Sequence, residues 1–100
     1  MGADEIIHQS LRLKIMATLN ALPRGDKIEF PRLKALLRAT DGNLGAHIAT
    51  LETAGYIAVE KDFVDRKPRT RVSLTPIGRR AFESHVAYLR DLIDGAAPKG

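Results

Sequence analysis

One hundred residues, 44% of them apolar and 28% charged, suffice for one domain with one core and exclude a chain disordered by composition. The absence of cysteine excludes disulfides, thiolate zinc sites and thiol redox chemistry. Sixteen Lys and Arg against twelve Asp and Glu leave a net charge of +4, a modest excess that suits a polyanionic partner.

Asp4 to His8 reads as a turn or short helical lead-in. From Ser10, a suitable N-cap, Leu11, Ile15, Met16, Leu19 and Leu22 recur at the helical period, and Pro23 and Gly25 end the helix. Lys27-Ile28-Glu29-Phe30 alternates as a very short strand. Pro31 suits the first position of a second helix, with Leu33, Leu36 and Leu37 inward and an end near Ala39. Thr40 and Asp41 are both good N-caps for a third helix, whose inward residues are Leu44, Ile48 and Leu51. Gly55 fits a left-handed C-cap with Tyr56 as the apolar residue that follows.

Ile57 to Phe63 then alternates as a strand with Ile57, Val59 and Phe63 on one face. Thr70 to Leu74 forms its partner, with Val72 and Leu74 inward and Arg71 and Ser73 outward. Asp65-Arg66-Lys67-Pro68 is the polar turn of a hairpin. Thr75-Pro76 opens a last helix on which Ile77, Ala81, Phe82, Val86, Leu89 and Ile93 trace a stripe, widened by Tyr88 and Leu92. Residues 1–94 form a single domain in this reading, and residues 95–100 a disordered tail.

This order of elements is that of a winged helix–turn–helix, an α+β domain that is mostly α. Its third helix, residues 41–54, would enter the major groove of double-stranded DNA, and its wing, residues 64–70, would lie on the backbone or in the minor groove. Asn43, His47 and Thr50 stand at i, i+4 and i+7, a spacing expected to put them on one face opposite Leu44 and Ile48. Asn can pair with adenine and Thr can reach a base edge or a thymine methyl. Gly42, Gly45 and Ala46 permit close approach. Arg66, Lys67, Arg69 and Arg71, with Lys61, outnumber Asp62 and Asp65 around the hairpin and are candidate phosphate contacts. Arg32, with Lys34 and Arg38, could touch flanking phosphates from the second helix or be solvated surface charge. The third helix itself holds no Lys or Arg and carries Asp41 and Glu52.

The segments Asp41-Gly42-Asn43-Leu44 and Leu51-Glu52-Thr53-Ala54-Gly55-Tyr56-Ile57 resemble the recognition-helix region of small winged-helix regulators related to the MarR group. Arg66-Lys67-Pro68-Arg69-Thr70 and Leu74-Thr75-Pro76-Ile77-Gly78-Arg79 resemble that group's wing and the start of its last helix. The resemblance covers residues 8 to 93 and implies a dimeric DNA-binding transcriptional regulator. It breaks at Gly45 and Ala46, where the group commonly carries polar or basic residues.

The apolar stripe of the last helix is wider than one small core needs, which points to a homodimer whose interface takes Val86, Leu89, Leu92 and Ile93 together with Ile6 and Ile7. An unidentified small-molecule effector would then have to bind at that interface or between helices. A winged-helix module that binds protein rather than DNA is the second reading, favoured by the acidic third helix and opposed by the basic wing. His8, His47 and His85 lie far apart, and no Gly-rich phosphate loop or nucleophile–base motif occurs, so no metal, cofactor or enzymatic activity is expected. No apolar run approaches the roughly 20 residues that span a bilayer. The acidic start Met1-Gly2-Ala3-Asp4-Glu5 lacks the basic flank of a signal peptide, and a cytoplasmic protein is expected.

Overall fold

The computed structural model describes residues 4, 6, 7 and 9–96. Its elements run α1 (Ser10–Ala21), β1 (Ile28–Glu29), α2 (Phe30–Leu37), α3 (Asp41–Thr53), β2 (Ile57–Val64), β3 (Lys67–Leu74) and α4 (Pro76–Ala96). The strands form one antiparallel sheet in the order β1-β3-β2, so the mostly helical winged helix–turn–helix read from the sequence is the fold observed. Of the tail expected over 95–100, Gly95 and Ala96 close α4, and residues 97–100 lie outside the described residues, as does His8 of the lead-in.

The core gathers Ile15, Met16 and Leu19 from α1, Leu33 from α2 and Leu44, Ile48 and Leu51 from α3. Ile28, Ile57 and Val72 of the sheet and Phe82 of α4 close it. Each such side chain contributes about 1.5–3 kcal/mol on full burial. Ile7 belongs to the same core at 0% exposure. It was expected on a dimer surface, but the turn made by Asp4 folds it inward. Asp4 Oδ1 accepts the backbone N–H groups of Ile6 and Ile7 at 2.8 and 3.1 Å, so Ile7 has no area left for a partner.

Local departures from the expected elements have local causes. Gln9, not Ser10, is the N-cap of α1, and its side chain makes no capping bond. Phe30 opens α2 instead of ending β1, which moves Pro31 to the second position. Only Leu33 of the α2 stripe is fully buried, and Leu36 is exposed. Arg38 takes the left-handed conformation at φ 53° and stops α2 at Leu37. Two residues later Thr40 caps α3, its Oγ1 accepting from the Asn43 N–H at 3.2 Å. Gly55, at φ 80°, closes α3 in the doubly bonded way that favours glycine. Its N–H donates to Glu52 O at 2.9 Å, and the Tyr56 N–H donates to Leu51 O at 3.0 Å.

The start of α4 is pinned to this same corner. Thr75 Oγ1 donates to Gly55 O at 2.6 Å and accepts from the Gly78 N–H at 2.9 Å. A Cβ on Gly78 would stand 1.9 Å from the Tyr56 carbonyl oxygen, so only glycine lets α4 approach. The inward row of α4 is therefore Gly78, Phe82 and His85, and Ile77, expected on the stripe, is exposed.

Candidate nucleic-acid interface

The residues of α3 that face away from the core are Gly42, Ala46, Ala49 and Thr53, all exposed and all small. Asn43, His47 and Thr50 do share a face, yet it is the flank beside α1 and not the face opposite Leu44 and Ile48. At 3.6 residues per turn these three fall between the core row and the outermost row. His47 is half-buried there, and its Nδ1 accepts from Arg12 Nε of α1 at 2.9 Å. Arg12 Nη1 also donates to Ile6 O at 3.2 Å, so Arg12 bridges the N-terminal turn and α3. Thr50 Oγ1 donates to Ala46 O at 3.2 Å. Asn43 keeps an exposed side chain one turn into the helix, and Gly42 lies exposed beside it. On the α2 side of the helix start, Lys34 pairs with Asp41 at 2.9 Å on the surface, so Lys34 is engaged by a carboxylate of the chain itself.

The wing is longer and tighter than the expected turn over residues 65–68. Strand pairing continues to Val64 opposite Lys67, which leaves Asp65 and Arg66 alone as the loop. Both take positive φ, 52° and 66°, as a two-residue type I′ hairpin turn requires. This register divides the wing into two unlike faces. On one, Glu60 stands opposite Arg71 and Asp62 opposite Arg69. Arg69 makes a two-pronged pair with Asp62 at 2.9 and 2.7 Å, and Arg71 reaches Glu60 at 3.1 Å and Asp62 at 3.5 Å. Lys27 adds a 2.7 Å bond to Glu60. These bonds hold the Asp62 and Glu60 carboxyls below their ordinary range, Asp62 through Arg69 first and Glu60 through Lys27 first. Arg69 and Arg71, expected as phosphate contacts, are thus engaged by carboxylates within the sheet. Arg32 shares the cleft beside this face with Lys27, Arg69 and Arg71.

The other face continues the core outward. Val59 pairs with Val72, Lys61 with Thr70 and Phe63 with Pro68. A groove of about 560 Å³ separates this face from α3, lined by Gly45, Ala49 and Glu52 of the helix and by Val59, Lys61 and Thr70 of the wing. Phe63, on the strand face it shares with Ile57 and Val59 as expected, lies beyond the end of the groove at 74% exposure. Lys61, Arg66 and Lys67 are exposed and form no ion pair among the described residues. Lys61 and Phe63 were legible from strand parity with Val59, but a residue of the right parity beyond the end of the core faces solvent.

At the far end of the molecule, α4 runs past the core. Val86 and Leu89 are half-buried, whereas Leu92 and Ile93 are 52% and 70% exposed on the last turns. Ile6 is half-buried against the core cluster. Among the described residues no helix is long and apolar enough to cross a membrane.

Three core helices, a short strand, and a hairpin flanking an exposed third helix define the winged helix–turn–helix class. Residues 11–93 match the family of winged helix DNA-binding domains, and the chain belongs to that family. An uncharacterized protein of Methanocaldococcus jannaschii is 34% identical over 88 residues, which cover 88% of this chain and 92% of that protein. The structure of a transcriptional regulator homologue from Pyrococcus horikoshii OT3 superposes with a TM-score of 0.85 at 35% identity, covering 95% of this chain and 91% of that one. AbsC, a MarR family transcriptional regulator from Streptomyces coelicolor, superposes at 0.61 with 26% identity, covering 85% of this chain and 60% of AbsC. The chain is a small winged-helix regulator related to the MarR family, and its family and fold are those of transcriptional regulators, not enzymes.

Proposed function

We propose that the chain binds double-stranded DNA sequence-specifically as a homodimeric transcriptional regulator, with α3 in the major groove and the wing on the backbone or minor groove. The observation that carries this reading is the pairing of an exposed, small-residue α3 with a projecting wing whose Lys61, Arg66 and Lys67 have no carboxylate partner among the described residues. Small side chains let a helix sit deep in a groove, and unpaired cations at its side neutralise phosphates. Asn43 is the base-reading residue of this arrangement, with Gly42 giving close approach; Arg32, His47 and Thr50 sit at its margins. The exposed end of α4 supplies the dimer face through Val86, Leu89, Leu92 and Ile93, and a two-fold dimer presents two α3 helices to half-sites about one turn apart. For a small-molecule effector, the open groove of about 590 Å³ lined by Asn20, Phe82, Val86 and Arg90 lies next to that face.

The test is duplex binding measured by fluorescence anisotropy across a salt series, for the natural chain and for a double variant, Arg66→Ala with Lys67→Ala. The variant should bind every duplex more weakly, and its slope of log K against log salt should be shallower by about two, one for each lost phosphate contact. An unchanged slope removes the wing from the interface. No duplex binding by the natural chain at low salt rejects the DNA reading in favour of a protein-binding module.

A further inference from the structure

We propose that Phe63 is an apolar DNA contact, its ring resting on deoxyribose at the edge of the minor groove while Lys61 and the turn hold the phosphates on either side. This rests on the duplex reading above and adds to the interface a residue that carries no charge.

Phe63 sits near the tip of β2 at 74% exposure, four residues beyond Val59, or about 13 Å along the strand. Its cross-strand neighbour is Pro68, also exposed, so the two rings make an apolar end to this face of the wing, with Val64, 42% exposed, next in the strand on the other face. Nothing in the fold asks for them there. The turn is set by Asp65 and Arg66, and the strands are tied by the guanidinium–carboxylate pairs on the opposite face.

Two observations select the occupant. The cations that surround Phe63, namely Lys61, Arg66 and Lys67, form no ion pair among the described residues, and Asp65 is the only acid between Phe63 and Lys67. The partner of this patch must therefore be strongly anionic, which a second copy of this chain, with its net charge of +4, is not. The direction of approach is also defined. Phe63 projects from the face that α3 shares across the groove, whereas the other face is closed by Asp62–Arg69 and Glu60–Arg71. A duplex that receives α3 meets the wing from the Phe63 side. Its backbone alternates anionic phosphate with a largely apolar sugar, and apolar side chains are common partners of the minor-groove side.

The experiment uses the full chain and random-sequence duplex. Phe63→Ala should bind about tenfold more weakly on every duplex while its log K against log salt slope stays unchanged, since no phosphate contact is lost. Its melting temperature should equal that of the natural chain, because the ring is outside the core. Phe63→Trp places the only tryptophan in the chain at the tip, and its emission should shift to the blue at saturating duplex. Natural-chain binding with Phe63→Ala unimpaired, or a tryptophan whose emission ignores bound duplex, overturns the proposal and leaves the DNA reading standing. A Phe63→Ala variant that changes the mass in light scattering instead of the affinity assigns the ring to contact between copies, which also overturns it. A natural chain that binds no duplex removes the DNA reading, and this proposal with it.

Discussion

Tyr56 donates its phenolic hydrogen to Asp4 Oδ2 at 2.7 Å, joining residues 52 apart in sequence where α3, β2 and α4 meet. Asp4 is the hub of this clasp. Its backbone N–H donates to Nδ1 of the buried His85 at 3.2 Å, and its other carboxylate oxygen caps the turn that buries Ile7. The N-terminal turn is thereby fastened to α4 as well as to the α3–β2 corner.

Burial, and then the bond to Asp4, push the Tyr56 pKa up to about 12. A raised value means that the fold favours the neutral phenol. Its contribution to stability is complete below the ordinary value of 10.0 and is lost as pH rises through about 12. The chain has two tyrosines, so Tyr88→Phe leaves Tyr56 as the sole phenol. Phenolate absorbance in that variant should rise with a midpoint near 12. Adding Asp4→Asn should lower the midpoint without returning it to 10.0, because burial, the larger cause, remains. A Tyr88→Phe midpoint at 10.0 would show that the clasp does not form.

The turn of the wing sets stability against binding at one residue. Arg66 is held at φ 66°, a left-handed conformation that costs an ordinary residue roughly 1–2 kcal/mol and glycine almost nothing. Arg66→Gly should therefore raise the melting temperature while it weakens duplex binding and flattens the salt dependence. A variant that loses stability and affinity together would refute the assignment of a type I′ turn with a DNA-facing Arg66.

Asp62 restrains Arg69. Asp62→Asn keeps the shape of the partner and removes its charge, so the guanidinium becomes available and the wing gains one net positive charge. Duplex affinity at low salt should rise modestly through the added charge while the salt slope stays nearly unchanged, because Arg69 lies on the wing face opposite Phe63 and gains no phosphate contact. The lowered pKa values of Asp62 and Glu60 mean that their contribution to stability is present above the ordinary carboxylate range and is lost as pH falls through the lowered values. Melting temperatures on acidification should accordingly fall less steeply for Asp62→Asn than for the natural chain. Equal acid sensitivity would mean that the wing pairs do not shape the acid response.

Much of this architecture was legible in the sequence. Periodicity located every helix and both long strands, and Thr40 and Gly55 marked the ends of α3 through bonds that only their chemistry makes readily. The failures share a cause. A polar turn read over four residues, 65–68, shifts the hairpin register by two, which sets Arg69 opposite Val64 and Arg71 opposite Asp62, so the observed Arg69–Asp62 and Arg71–Glu60 pairs are missed. Charge was visible along the chain, but its neutralisation depends on the register. Ile7 was misread because its burial depends on Asp4, whose partners lie at Tyr56 and His85. The flank position of His47, by contrast, follows from 3.6 residues per turn alone, and only its bond to Arg12, 35 residues away, is non-local.

Specificity is expected to rest on few groups, because the outer row of α3 is Gly42, Ala46, Ala49 and Thr53. Asn43→Ala should cost about 1–3 kcal/mol at a preferred site and leave random duplex binding nearly unchanged. Selection of bound sequences from a random pool, carried out with both proteins, should then show one base pair per half-site relaxed. An equal loss on specific and random duplex would exclude Asn43 as a base reader.

The proposed homodimer rests on the end of α4. Leu92 and Ile93 expose large apolar side chains on the last turns, with Leu89 and Val86 half-buried on the same side of the helix. A second α4 laid against this stripe would cover it, and the match of the stripe to itself makes a two-fold pair the simplest arrangement. Each chain would then bring one α3 and one wing, so that dimerisation raises DNA affinity without any new DNA contact. Leu89→Asp with Leu92→Asp puts two charges into that interface and leaves the core formed by Ile15, Leu44, Leu51 and Val72 untouched. Light scattering at micromolar concentration should report twice 11.0 kDa for the natural chain and a single chain mass for the double variant. Its melting curve should remain cooperative while its affinity for a two-half-site duplex drops to that for a single half-site. A natural chain that weighs 11.0 kDa across the concentration range would sink the dimer and leave the stripe without a function.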